Sequence, residues 1–130
     1  MKRYLSAIAV SAAMVGMACA QLPATDAQKF PDVLAVNVQS NGENRFDFDV
    51  TISSPYDSLQ RYADAFRVSG AEGVAYGERK LLHDHASEQP FTRDLYDVYI
   101  PPGIRVVTVQ AKDQRYGYGG KSVRVVLPGR

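Results

Sequence analysis

From Asp32 onward, apolar residues recur at every second position through much of the chain, the period of strands buried on one face. Leu34, Val36 and Val38 alternate with Ala35, Asn37 and Gln39. Phe46, Phe48, Val50 and Ile52 then alternate with Arg45, Asp47, Asp49 and Thr51. The turn residues Ser40-Asn41-Gly42 separate the two runs, which read as an antiparallel hairpin with the apolar set inward. Ser53-Ser54-Pro55-Tyr56-Asp57 breaks the pattern. The next segment fits two periods: Leu59, Tyr62, Ala63 and Phe66 have helical spacing, whereas Tyr62, Phe66 and Val68 suit a strand that carries an aromatic into the core. Because every neighbouring segment is strand-like, we read 62–68 as a strand, with a helical turn at 57–61 before it.

A turn at 69–73 leads to a weaker strand over 74–82, then to a polar, irregular stretch at 83–90. Leu95, Val98 and Ile100 mark another strand, stopped by Pro101-Pro102-Gly103, where proline second and glycine third suit a type II turn. Segment 104–111 is apolar on both parities in places, as an interior strand would be, and Val123, Val125 and Leu127 alternate before Pro128-Gly129. About seven strands with turns at short intervals predict an all-β domain, a two-sheet sandwich of the immunoglobulin or fibronectin type III kind. The cysteine–tryptophan–cysteine core of an antibody domain is absent, so the expected sandwich has no disulfide. A small barrel is the alternative.

The N-terminus obeys a different rule. Lys2 and Arg3 precede an uncharged, mainly apolar run that ends in Ala18-Cys19-Ala20, a small-x-small cleavage signal. The run is shorter than the about 20 residues a spanning helix needs. We therefore expect a signal peptide at 1–20, a polar lead at 21–31 and the sandwich domain at 32–130, with no membrane span. Lipidation at Cys19 is the alternative, disfavoured because Gly16 and Met17 fit a lipoprotein signal poorly. The form of the signal is bacterial, and the expected address is the periplasm or the secreted fraction.

Cleavage changes the chemistry available. Met1, Met14, Met17 and Cys19 are all the sulfur residues in the chain, so the processed protein has none. Thiol nucleophiles, disulfides, all-cysteine zinc sites and iron–sulfur clusters are excluded together. Removing Lys2 and Arg3 also takes 15 basic residues to 13 against 14 acidic ones, a formal net charge of −1. That charge offers nucleic acid no basic field.

The densest polar cluster runs from His83-Asp84-His85 to Glu88 and Arg93 and holds both histidines. On an extended segment His83 and His85 would face one side and could present two imidazoles to Zn(II) or Cu(II), with Glu88, or Asp84 if the segment bends, as an oxygen ligand. The competing reading is a loop that hydrogen-bonds itself into shape, with Asp84 or Glu88 pairing Arg93. A second candidate is the loop with Arg115, Tyr116, Tyr118 and Lys121, whose tyrosines and glycines form an adaptable contact surface or cover one end of the core. Asp47 and Asp49 share a strand face with Arg45 and read as solvated charge. Nucleophile elbows, phosphate loops, dinucleotide fingerprints and zinc-protease helices are all missing.

The runs Tyr62-Ala63-Asp64-Ala65-Phe66-Arg67-Val68, His83-Asp84-His85 with Glu88-Gln89-Pro90-Phe91-Thr92-Arg93, and Tyr118-Gly119-Gly120-Lys121 resemble those of small exported proteobacterial proteins of unknown function. The resemblance implies a secreted β-sandwich and brings no assigned activity or site. Together these readings lead to an expectation of a monomeric, non-enzymatic binding or accessory domain without cofactor. Its surface would be formed by 83–93 and 115–121, and its partner would be a protein or a small molecule. The alternative is a periplasmic Zn or Cu(II) protein using His83, His85 and Glu88.

Overall fold

Two alternating runs separated by a tight turn have one compact solution, and the chain adopts it. In the computed structural model, which describes residues 28–130, β1 (Asp32–Ser40) and β2 (Arg45–Ser53) form an antiparallel hairpin. The expected signal peptide, Cys19 and the lead as far as residue 27 lie outside the described residues. Phe46, Phe48, Val50 and Ile52 are all buried, as their parity requires. On β1 the parity changes once. The register shifts between Val33 and Ala35, so Val33 is buried, Leu34 is 49% exposed, and Val36 and Val38 return to pack against the core. The expectation that Leu34 faces inward is therefore corrected by a bulge, which alternation alone does not reveal.

Segment 62–68 is a strand, β3 (Ala63–Ser69), with Phe66 and Val68 fully buried. Tyr62 stops half-buried outside the strand. No helical turn forms at 57–61; the Ser58 hydroxyl instead accepts the backbone N–H groups of Gln60 and Arg61, a local bond that competes with helix. A single 3-10 turn at Ala71–Gly73 joins β3 to β4 (Ala75–Lys80). The remaining strands are β5 (Phe91–Tyr99), β6 (Val106–Asp113), the two-residue β7 (Gly117–Tyr118) and β8 (Val123–Val126). Gly103, with φ +94°, completes the expected type II turn before β6.

One sheet has the order β1-β2-β5; the other has β4-β3-β6-β7, with β8 also paired to β6. Every pairing is antiparallel. The described residues thus form an all-β, immunoglobulin-like sandwich of two sheets, not a barrel. Its core lies between the sheets, where Phe48, Phe66, Phe91 and Ile52 are fully enclosed. Where β8 begins, the chain passes so close to the start of β1 that a Cβ on Gly120 would strike the Pro31 carbonyl, and φ is +72° there, so glycine is required on both counts. This topology gathers the loops 54–62, 81–90 and 114–116 and the lead at 28–31 at one end. The turns 41–44, 70–74 and 100–105 and the C-terminal residues lie at the other.

Candidate functional site

At the first end the chain buries two carboxylates. Asp113 continues the inward parity of Val107, Val109 and Ala111 on β6, and its side chain is fully enclosed. Its Oδ1 accepts the Tyr56 hydroxyl at 2.6 Å and an Arg61 N–H at 2.9 Å, while Oδ2 accepts the backbone N–H groups of Arg115 and Tyr116, both at 2.8 Å. Burial pushes this carboxyl up, but the bonds from Tyr56, Tyr116, Arg115 and Arg61 outweigh it and hold it below the usual carboxylate range. Tyr56 is pushed up in turn, first by burial and then by its bond to Asp113. Arg61 also donates to the Lys29 and Gln28 carbonyls and lies 4.0 Å from the centre of the Tyr56 ring. One buried carboxylate thereby joins two loops and, through Arg61, the lead.

Asp57 does the same on the histidine side. Its Oδ1 accepts the Ala63 N–H and its Oδ2 the His85 N–H, each at 3.0 Å, so the entry to β3 and the loop 81–90 share one anchor. Gln89 adds a second tie through the Ser54 N–H, the Ser54 hydroxyl and the His85 carbonyl. His85 is 4% exposed and stacks on Phe91, with ring centres 3.9 Å apart. Its Nδ1 is buried, has no hydrogen-bond partner, and stands 3.9 Å from Asp57 Oδ2. Burial, then the charges of Arg93 and His83, lower its pKa against the opposing pull of Asp57 and Glu88.

The polar cluster is therefore irregular loop over 83–90, with Arg93 on β5, and its members play different parts. His83 is exposed, its Nδ1 bonded to the Asp84 carbonyl, and its ring centre is 4.8 Å from that of His85. Asp84 accepts the Ala86 N–H. Both Glu88 oxygens face Arg93, at 3.3 and 3.0 Å, and that bond holds the Glu88 pKa below its usual value. Among the described residues no three or more His, Cys, Asp or Glu side chains are grouped to hold a metal ion.

The second expected surface divides. Arg115 and Tyr116 sit on the Asp113 anchor, in the same end as His85, with Tyr116 45% exposed. Tyr118 belongs to β7 and crosses the outer face of its sheet, giving its hydroxyl to Glu78 at 2.6 Å beneath the Arg67 guanidinium. Burial, followed by the Glu78 bond, raises its pKa. Lys121 is held through its backbone to Asp32 and Val33. The single loop expected over 115–121 is thus two regions separated by a strand.

The sequence reading missed Tyr56, Asp57, Arg61 and Gln89, and also Asp113. For Asp113 a signal existed, an acidic residue on an apolar parity; for the others there was none. At the opposite end a cleft of about 640 Å3 lies between the first hairpin turn and the last residues, beside Phe46, Pro102, Arg105 and Pro128. Its half-buried Arg130 is already committed, donating to the Ile100, Pro101 and Ile104 carbonyls and to the Asn44 side chain.

Comparison with protein families and with solved structures finds no match. A protein of the archaeon Halomicrobium mukohataei, named as a candidate lipoprotein, is 38% identical over 94 residues. The match covers 72% of this chain and 46% of that protein, so the chain spans about half the length of the curated relative it matches. Among the described residues no helix is long and apolar enough to cross a membrane.

Proposed function

We propose that this chain is an exported accessory domain, not an enzyme, that recognises a partner with the loops at the Asp57–Asp113 end of its sandwich. One observation carries the reading: those loops are held in one shape by buried carboxylates, yet they expose Leu59 (82%), Leu82 (83%) and Tyr116 (45%). Apolar groups left in water on preorganised loops bind with little further loss of chain entropy. The basic, apolar and small-residue order of the N-terminus supports export, and the archaeal relative's name supports a lipoprotein-like address. The proposed location is the bacterial periplasm or cell exterior, as a monomer, with cleavage after Ala20 preferred to lipidation at Cys19.

Native mass spectrometry of the protein purified from a bacterial periplasm reads the mature N-terminus, lipid, metal and oligomeric state together. Capture from the same extract tests the surface. A partner retained by wild type and by Val74→Ser at the far end, but lost by the combined Leu59→Ser, Leu82→Ser and Tyr116→Ser variant, is the expected result. Equal retention by all three proteins overturns the reading. The adjacent rings of His83 and His85 keep a metal reading in play, and saturable Zn(II) or Cu(II) binding at neutral pH would replace the present one.

A further inference from the structure

Beside His85 lies a second cavity, of about 150 Å3, whose polar lining is Arg79, Lys80, His83, His85 and Arg93. No carboxylate lines it; Leu81 and Leu82 complete the wall. A cavity of that size has room for one oxyanion group with residual hydration.

The donors are not spent. The Lys80 side chain is exposed and makes no hydrogen bond or ion pair among the described residues. Arg79 pairs with Asp94, and Arg93 with Glu88, each outside the lining, and a guanidinium has five N–H donors to share. His83 uses Nδ1 alone, leaving its other nitrogen free. His85 is 4% exposed and forms part of the cavity wall, its unbonded Nδ1 enclosed on the Asp57 side. A concave site lined by three cations and the buried Leu81 concentrates positive potential. Charge-assisted N–H donors are the recognition chemistry of phosphate-like groups.

We propose that this cavity binds a single tetrahedral oxyanion group, a phosphate or its equivalent. The inference rests on the reading that this end of the sandwich is the recognition surface, and it gives that surface a ligand class. Free inorganic phosphate and a phospholipid head group offer the same group.

The test is an NMR titration of the exported protein with sodium phosphate, against sodium chloride at equal ionic strength. Saturable shifts centred on Lys80, His83, His85 and Arg93 are expected with phosphate and not with chloride. Lys80→Gln, which alters an exposed side chain, should weaken binding about tenfold, while Arg124→Gln on β8 should behave as wild type. Shifts that stay linear into the high millimolar range, or that chloride reproduces, overturn the proposal. Lys80→Gln binding as tightly as wild type also overturns it. Competition by phosphatidylglycerol vesicles, absent with phosphatidylcholine, assigns the group to a lipid; phosphate binding without vesicle competition assigns it to a free anion. The titration contains no partner protein, so its failure leaves the capture experiment standing. Intact phosphate binding with unaltered capture retires only the wider reading.

Discussion

Asp57 and Asp113 are two fully buried carboxylates at one end of one sandwich, and they are finished differently. Asp113 meets a permanently charged arginine, a tyrosine hydroxyl and two backbone N–H groups. Asp57 receives two backbone N–H groups, and the titratable group beside it, His85 Nδ1, stays 3.9 Å away and unbonded. A saturated buried carboxylate is architecture, because no ligand or proton can improve on the partners it already has. An anchor that leaves a neighbour unpaired holds its loop in place while leaving chemistry available there. The histidine loop is therefore the responsive half of this end and the Asp113 hub its rigid half.

Removing each carboxylate tests that ranking. Asp113→Ala strands the Arg61 guanidinium and orphans the Tyr56 hydroxyl and two backbone donors. Breaking a buried pair costs about 3–5 kcal/mol. Because Arg61 keeps 21% exposure, we expect a loss near the lower bound, about 3 kcal/mol by urea denaturation. Asp57→Ala leaves two backbone N–H groups unsatisfied and no formal charge unpaired, for about 2 kcal/mol. If Asp57→Ala proves the more destabilising, the division into rigid and responsive halves is wrong.

The same contrast explains what could be read from the chain. Period-two alternation made the sandwich legible, because one inward face per strand is all that two packed sheets demand. Leu34 escaped that logic, since a one-residue bulge flips parity without changing composition. Asp113 was visible in principle, the acid at the end of Val107, Val109 and Ala111. Asp57 was not, because its role arises where two loops distant in sequence meet, and loops have no periodicity to violate. His83, His85, Glu88 and Arg93 could be singled out as residue types. Their division into a buried ring, an exposed ring and an ion pair depends on which side of the loop faces Phe91, and only the fold decides that.

Acid separates the halves next. His85 is lowered in the folded protein, so the unfolded chain takes that proton first. Stability should begin to fall as pH drops below about 6.5, the unfolded value, and level off below the folded one. Asp113 is also lowered, so its contribution is complete above about 3.9 and is lost as pH falls through its lower folded value. Thermal melting from pH 8 to pH 2 should thus show two steps, a shallow upper one and a steep lower one. His85→Phe keeps an aromatic ring on Phe91 and removes only the upper step. An unchanged upper step in that variant would assign it to another group.

The smallest effect on stability falls on Glu88, and there the comparison is sharpest. The carboxylate is exposed and its bond to Arg93 is screened by water, so Glu88→Gln should leave the melting temperature unchanged within error. Its consequence is local. With the charge gone, Arg93 is released from its bidentate partner and has more donors for the cavity it lines. Phosphate affinity should rise several-fold while folding is unaffected. A residue that changes ligand binding without changing stability is what a responsive loop predicts. A drop in melting temperature with no gain in affinity would place the Glu88–Arg93 pair among the structural ties, alongside Arg61 and Asp113.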